Sequence, residues 1–359
     1  MKKLRSGYTT GACAAAAAKG AMLAFLGVEA VQEVAIPFPD GSRVSFVLSR
    51  CEILNTVPKT AVAAVVKDAG DDPDVTNGAT IEVFVTADPQ SSERISLRGG
   101  QGIGRVTKPG LAVAVGEAAI NPVPRRMIRM AVEEALTQNG CDQSCRFAVT
   151  VSIPTGEALA AKTLNSRLGI VGGLSVLGTT GIVRPVSAEA WTATITASMN
   201  VAEGTGCGEI VLSTGRTSER AVQQRLCLPE EALVMMGDYL QFSLQEAGRF
   251  GFGRVHIAGM WAKILKAALE IPQTHVRNGA LEVSQAIALI KSLGFSGEVT
   301  GNLVGSNTAR EIYTRLIASG KRDVIASVCK KAQDYCAETA SLPVSVHLVD
   351  ASGTIVVSV

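Results

Sequence analysis

At 359 residues the chain is long enough for two domains, each burying its own core. It is 47% hydrophobic but only 4% aromatic, with 36 glycines, so small aliphatic side chains must do most of the packing. A net charge of +2 with no long basic run leaves no nucleic-acid footprint, whereas acidic small molecules stay open as partners if arginines and lysines converge locally.

The N-terminus, MKKLRSGYTTGACAAAAAKGAMLAFLG, imitates a secretory signal, but Tyr8-Thr9-Thr10 and Lys19 break its apolar run. No stretch reaches the length of a membrane span, so a cytoplasmic protein without a membrane partner is expected. Eight cysteines in so long a chain do not make a disulfide framework. The CxxxC pair Cys141 and Cys145 lacks a second pair or a nearby histidine, so structural thiols are a better reading than zinc.

In chain order, GYTTG followed by alanines predicts a helix to Leu26 capped by Thr9 or Thr10. Its N-terminal N–H groups, beside Arg5 and Tyr8, read as an anion site; the plainer alternative is a capped core helix. Val34–Pro37 and Arg43–Leu48 flank a PDG turn and predict a hairpin; Thr60–Val66 is a further strand. It leads into KDAGDDPDVTNG, where Asp68, Asp71, Asp72 and Asp74 crowd one loop. A hard-metal loop, carboxylates aimed at a substrate and a plain solvated turn all remain open there. Thr80–Thr86 and Ile95–Leu97 are strands. The following GGQGIG resembles a dinucleotide fingerprint but runs into RVTKPG instead of a helix, so a cationic loop of Arg98, Arg105 and Lys108 is the better reading. A helix from Pro124 to about Gln138, a strand over Phe147–Ile153 and a short helix over Glu157–Leu164 complete an α+β first half.

The stretch Asn165–Ser187, NSRLGIVGGLSVLGTTGIVRPVS, alternates glycines with aliphatic runs that ask for buried strand. It reads as a hinge between two halves, with a tight turn in an ordinary core as the alternative. Its Gly178-Thr179-Thr180-Gly181 loop suits a phosphate or carboxylate, with Arg184 just beyond.

From Ala188 the texture changes to alternating helices and strands. Helix 188–202, strand Glu209–Ser213, the turn Thr214-Gly215-Arg216-Thr217-Ser218-Glu219 and a helix to about Leu226 form an anion-cradle pattern. Strand Gly253–Ile257, Ala258-Gly259-Met260 and helix Trp261–Leu269 repeat it. A strand near 232–236, helices over 240–247, 282–293, 307–319 and 321–338, and strands over 344–349 and 354–358 fill the remainder; Asn307-Thr308 with Glu311 supplies a capping box. The expected organisation is therefore an α+β sheet domain over 1–187 and a Rossmann-like α/β domain over 188–359. Among three histidines, His347 reads as structural, while His256 and His275 are candidates for acid, base or axial ligand. No triad, HExxH or P-loop occurs, and the residues alone lead to an enzyme for a roomy polyanionic or nucleotide-like ligand.

The blocks LRSGYTTGACAAAAAKGA, VVKDAGDDPDVTNG, GIGRVTKPGL, AINPVPRRMI, VSIPTGEALAAKTLNSRLGIVGGLSVLGTTGIVRPVS, IVLSTGRTSE and HIAGMWAKILKAALEIPQTH together resemble the CbiD family, the cobalt-precorrin-5B C1-methyltransferases of anaerobic cobalamin synthesis. Ala12, where threonine is frequent, and HVRNGALEV depart from that pattern. The resemblance implies methyl transfer from S-adenosylmethionine to C-1 of cobalt-precorrin-5B, giving cobalt-precorrin-6A and S-adenosylhomocysteine. Cobalt would enter with the anionic macrocycle, so no protein-bound metal is expected. In-line displacement needs proximity and electrostatics more than a strong base. On this reading Thr214, Gly215, Arg216, Thr217, Glu219 and Gly259 hold the donor. Arg5, Tyr8, Thr9, Thr10, Lys108, Thr179, Thr180 and Arg184 hold the macrocycle, and Asp68, Asp71, Asp72 and His256 are the catalytic candidates. A non-catalytic corrinoid carrier and a metal-dependent phosphotransferase using the aspartate loop are the rivals. A homo-oligomer and direct hand-over of substrate from neighbouring pathway enzymes stay open.

Overall fold

The computed structural model describes residues 4–185, 187–274 and 281–359, so His275 lies outside the described residues. The chain divides into two compact units, Met1–Ser187 and Ala188–Val359. Both mix helix and sheet. None of the described helices is long and apolar enough to cross a membrane.

The first unit begins with β1 (Gly7–Tyr8), α1 (Thr10–Phe25), the hairpin β2 (Glu33–Pro37) and β3 (Arg43–Val47), then β4 (Arg50–Thr56), β5 (Lys59–Val66), β6 (Thr80–Ala87) and β7 (Ile95–Gly99). There follow β8 (Arg105–Val106), α2 (Pro122–Gln138), β9 (Phe147–Ser152), α3 (Gly156–Ala160), β10 (Ile170–Val171) and β11 (Ile182–Val183). The main sheet has the order β4-β5-β6-β9-β7, antiparallel except for the β7–β9 pair. Helix α1 is buried almost all round, which its alanines permit: a side chain of any size at Gly11 or Gly20 would meet Pro124 or Leu48. It packs on α2 and on the sheet, and the Lys19 ammonium ties three elements by donating to Ala35 O and Glu134, each at 2.8 Å.

The glycine-rich stretch corrects the hinge expectation. Only Ile170–Val171 and Ile182–Val183 are strand; between them the chain forms a strap stitched to the first unit along its length. β10 pairs with β8, Leu174 bridges Ile103, Val176 bridges Ile120, and β11 pairs with β1. The reason is steric: Gly173 lies so close to Gly102 that a Cβ would sit 2.2 Å from the Gly102 carbonyl oxygen. Gly102 serves the same close packing against Ile153 and Gly156, so GGQGIG is a backbone crossing and not a phosphate cradle.

The second unit contains α4 (Ala188–Gly204), β12 (Glu209–Ser213), α5 (Arg216–Leu226), β13 (Leu233–Met235), α6 (Leu240–Ala247), β14 (Arg254–Gly259) and α7 (Trp261–Ala268). Next come α8 (Val283–Ser292), α9 (Glu298–Gly301), α10 (Ala309–Ala318), α11 (Arg322–Ala340), β15 (Val344–Val349) and β16 (Ile355–Ser358). Its sheet runs β13-β12-β14-β15-β16, parallel except for the edge strand β16. Numbered within the unit, the parallel strands lie in the order 2-1-3-4, so the winding reverses between β12 and β14, the point beyond whose carboxyl ends open α/β sheets bind ligands. Thr308 caps α10 by accepting from Glu311 N while Glu311 accepts from Asn307 N, the capping box that the sequence announces.

Candidate functional site

In the first unit, residues 5–8 thread between the aspartate loop and the strap. Gly7 leaves no room for a Cβ against Ala69 and Gly70, and Ser6 bridges Gly70. The geometry therefore gathers Arg5, Tyr8, Thr9, Thr10, Asp68, Asp71 and the Gly178–Arg184 turn at one end of α1. The aspartates are not a metal loop. The Arg5 guanidinium grips Asp68 in a two-pronged pair at 2.6 and 2.8 Å and holds its carboxyl down to about 2; Arg5 N donates to Asp71 at 2.7 Å. Lys67, buried, pairs with Asp74 and Thr76. Arg5 and Lys67 thus neutralise Asp68 and Asp74, and among the described residues no group of three His, Cys, Asp or Glu is arranged to hold a metal. A carboxyl held so low is a poor proton acceptor, which removes Asp68 as a general base. Asp71 is exposed and Asp72 half-buried on the same loop.

The expected anion site at the start of α1 is closed. Thr9 N donates to Gly181 O at 2.9 Å, Gly11 N to Leu177 O at 3.1 Å, and Ala12 N to Thr9 Oγ1 at 3.2 Å. Strap carbonyls satisfy the donors that a ligand would need, and Thr9 and Thr10 are themselves buried. Tyr8 packs its ring on Phe46, with centroids 4.7 Å apart. Thr179, Thr180 and Arg184 are exposed, as is the Arg5–Asp68 pair, and Arg184 has neither an ion pair nor a hydrogen bond among the described residues. Lys108 sits apart from them, its stem against Gly169 at the other end of the strap. Arg98 and Arg105 are engaged, by Asp88 and by the Gly116 carbonyl, so the cationic loop is not free to bind.

In the second unit the carboxyl ends of β12 and β14 bring Thr214 and Gly259 together. Thr214 N donates to Ala258 O at 3.0 Å, and a Cβ on Gly259 would lie 3.4 Å from Thr214 Cγ2. Gly215 opens α5 without a side-chain cap, and nothing lies within 4 Å of where its Cβ would be. The first-turn N–H groups of α5, with exposed Arg216 and Thr217, form a ready seat for an anionic group. Glu219 differs from expectation: it is buried beneath the turn, accepting from Ser213 Oγ at 3.1 Å, and props the cradle instead of facing a ligand. Two residues at this edge carry weaker sequence signals. Asp238, after Gly237 in its left-handed turn beyond β13, accepts from Thr274 Oγ1 at 2.9 Å and pairs with Lys263 of α7.

His256 is not at this edge. It lies three residues before the end of β14, about 10 Å back at strand rise. It is buried, with Nε2 2.9 Å from Glu209 and Nδ1 3.1 Å from His347 Nε2; His347 Nδ1 in turn lies 2.9 Å from Ser358 Oγ. Every ring nitrogen of the two histidines thus has a partner within the chain. It is a structural network, and the catalytic assignment of His256 falls. Burial, then neighbouring His256, push the His347 pKa down to about 4. A base whose pKa drops on folding stabilises the fold fully above its unfolded value of about 6.5 and loses that contribution as pH falls toward 4. Urea titrations should therefore show wild type losing stability more steeply than His347→Gln between pH 6.5 and 4.5; parallel curves would contradict the assignment.

All eight cysteines are free thiols, and burial pushes Cys13, Cys329 and Cys336 up to about 12, so they are protonated packing groups.

The model of the CbiD family matches residues 1–185, and that of the CbiD C-terminal domain residues 273–359. The chain is similar to a cobalt-precorrin-5B C(1)-methyltransferase of Desulfotalea psychrophila, 54% identical over 97% of this chain and 96% of that one. A protein of the same name from Geotalea daltonii is 48% identical over 93% of this chain and 92% of its own. A solved structure described as a cobalamin biosynthesis protein (cbiD) from Archaeoglobus fulgidus is 24% identical, covering 88% of this chain and 85% of that one, at a TM-score of 0.41.

Proposed function

The chain belongs to the CbiD family, and from that premise we infer that it methylates C-1 of cobalt-precorrin-5B in cobalamin biosynthesis, with S-adenosylmethionine as the methyl donor. The observation that carries this is the 54% identity, across nearly the whole chain, to a relative bearing that name. The carboxyl edge of the second-unit sheet fits the donor. Backbone N–H groups at the start of α5, with Arg216, suit its carboxylate; the hydroxyls of Thr214 and Thr217 stand beside them; and Gly215 and Gly259 keep the floor low. S-adenosylmethionine supplies an electrophilic methyl group when bound. The chain's own work is to place that group against the macrocycle and exclude water, and this needs no strong base. The gripping of Asp68 by Arg5 and the internal satisfaction of His256 accord with such chemistry.

The first unit takes the macrocycle. Its exposed Arg184, beside Thr179 and Thr180, suits a peripheral carboxylate, and Lys108 marks the strap's far end. Arg184→Ala should raise the KM for the macrocycle about tenfold while the donor KM holds; the opposite split would overturn this placement. Calorimetric titration tests the reading as a whole. Binding of both S-adenosylmethionine and the macrocycle is expected. Macrocycle binding without any donor affinity would instead identify a corrinoid carrier.

A further inference from the structure

The polar face of α2 is unlike an ordinary solvated helix face. Its inner face, including Met127, Ile128, Val132 and Leu136, is buried, as amphipathicity requires. Its outer face carries Arg125, Arg126 and Arg129 with Met130 between them, and Met130 is 45% exposed. Opposite stands the loop Ala112–Glu117, anchored from behind by Val113 packing with Val106 and Ile170. Helix and loop flank an open groove of about 640 Å³ whose lining is mostly apolar and whose rim carries Arg125, Arg126 and Arg129 together with Glu117 and Glu133.

The rim is pre-set. Arg125 is locked by three bonds, from Nε to Ile120 O at 2.7 Å and from Nη2 to Glu117 at 2.7 Å and Ala118 O at 3.2 Å. Arg129 is held by Glu93 at 2.7 Å. Arg126 is exposed and has neither ion pair nor hydrogen bond among the described residues. An uncompensated guanidinium, between two fixed ones and above exposed methionine, suits a ligand that is apolar on its face and anionic at its rim. The groove also adjoins the strap. Asn121 N, at the start of α2, donates to Val176 O at 3.0 Å, and Lys108 belongs to the chain that leads into the Ala112–Glu117 loop.

We propose that this groove is the seat of the macrocycle, with Arg126 as its principal carboxylate anchor and Met130 beneath the ring face. The proposal rests on the reading of the substrate as a polycarboxylate tetrapyrrole and adds where that substrate lies. Arg126 is exposed and unpaired, so its replacement leaves no buried partner unsatisfied. Ala114→Trp narrows the groove without changing its charge.

The test is equilibrium binding of cobalt-precorrin-5B, followed anaerobically by its visible absorbance, to wild type, Arg126→Glu, Arg126→Lys and Ala114→Trp, alongside S-adenosylmethionine titrations. Arg126→Glu and Ala114→Trp should each weaken macrocycle binding at least tenfold with donor affinity unchanged, and Arg126→Lys should stay within about threefold of wild type. Wild-type methyl transfer together with unaltered macrocycle binding by Arg126→Glu and Ala114→Trp would overturn the seat and leave the methyltransferase reading intact. Loss of binding in those variants from a wild type that transfers no methyl would uphold the seat and remove the transferase reading. Wild type that binds no macrocycle would overturn both.

Discussion

Gly215→Leu should raise the KM for S-adenosylmethionine by thirtyfold or more while the melting temperature stays within about 2 °C of wild type, roughly 2 kcal/mol of binding and little stability. Two observations set this expectation. Gly215 has φ 175°, an extended conformation open to any residue, so a side chain adds no backbone strain. Nothing lies within 4 Å of its Cβ position, so a leucine side chain starts in open space beside the α5 N-terminus. Fold and ligand are thereby separated: the substitution fills the cradle without disturbing what builds it. The measurement is a donor titration paired with thermal melting. Unchanged donor affinity in a folded variant would move the donor site away from the β12 edge.

Gly173→Ala should destabilise the first unit by about 3 kcal/mol or more, a large share of a domain's marginal stability. Here the Cβ would fall 2.2 Å from Gly102 O and 2.3 Å from Gly102 C, both backbone, so relief requires the strap to lift from the crossing. Gly172→Ala, one residue away, is the control. Its position is open but left-handed at φ 83°, and alanine there should cost only about 1 kcal/mol. Equilibrium urea unfolding of the two variants distinguishes a strap clamped to the unit, which predicts this ranking, from a freely moving hinge, which predicts similar small losses.

That contrast shows where sequence reasoning reaches and where it stops. In the second unit, buried strands alternate with amphipathic helices and the turns between them carry glycine and hydroxyl residues. Helix 240–247 and strand 344–349 could accordingly be placed to the residue from pattern alone. The cradle at Thr214–Arg216 was legible for the same reason: its glycine, hydroxyls and helix start are contiguous. β4 was not, because Arg50–Thr56 faces mostly solvent and shows no apolar alternation. The strap misled because LSVL has the composition of a strand, whereas close backbone crossings set its course, and these join Gly173 to Gly102, far away in sequence. At the start of α1 the sequence displays the N–H donors but not the carbonyls of Leu177 and Gly181 that take them. His256 looked available because its partners, Glu209 and His347, lie 47 and 91 residues away. The cationic face of α2 was visible as PRRMIRM, but only the loop folded opposite it turns that face into a groove.

Methyl transfer to C-1 is measured by a single anaerobic turnover. Wild-type enzyme in excess would be mixed with methyl-labelled S-adenosylmethionine and cobalt-precorrin-5B, and the mass of the macrocycle recorded with the position of the label. A gain of one labelled methyl, at C-1, is expected, with matching release of S-adenosylhomocysteine. Macrocycle recovered unmethylated from folded protein that holds it tightly would contradict the transferase reading and identify the chain as a carrier.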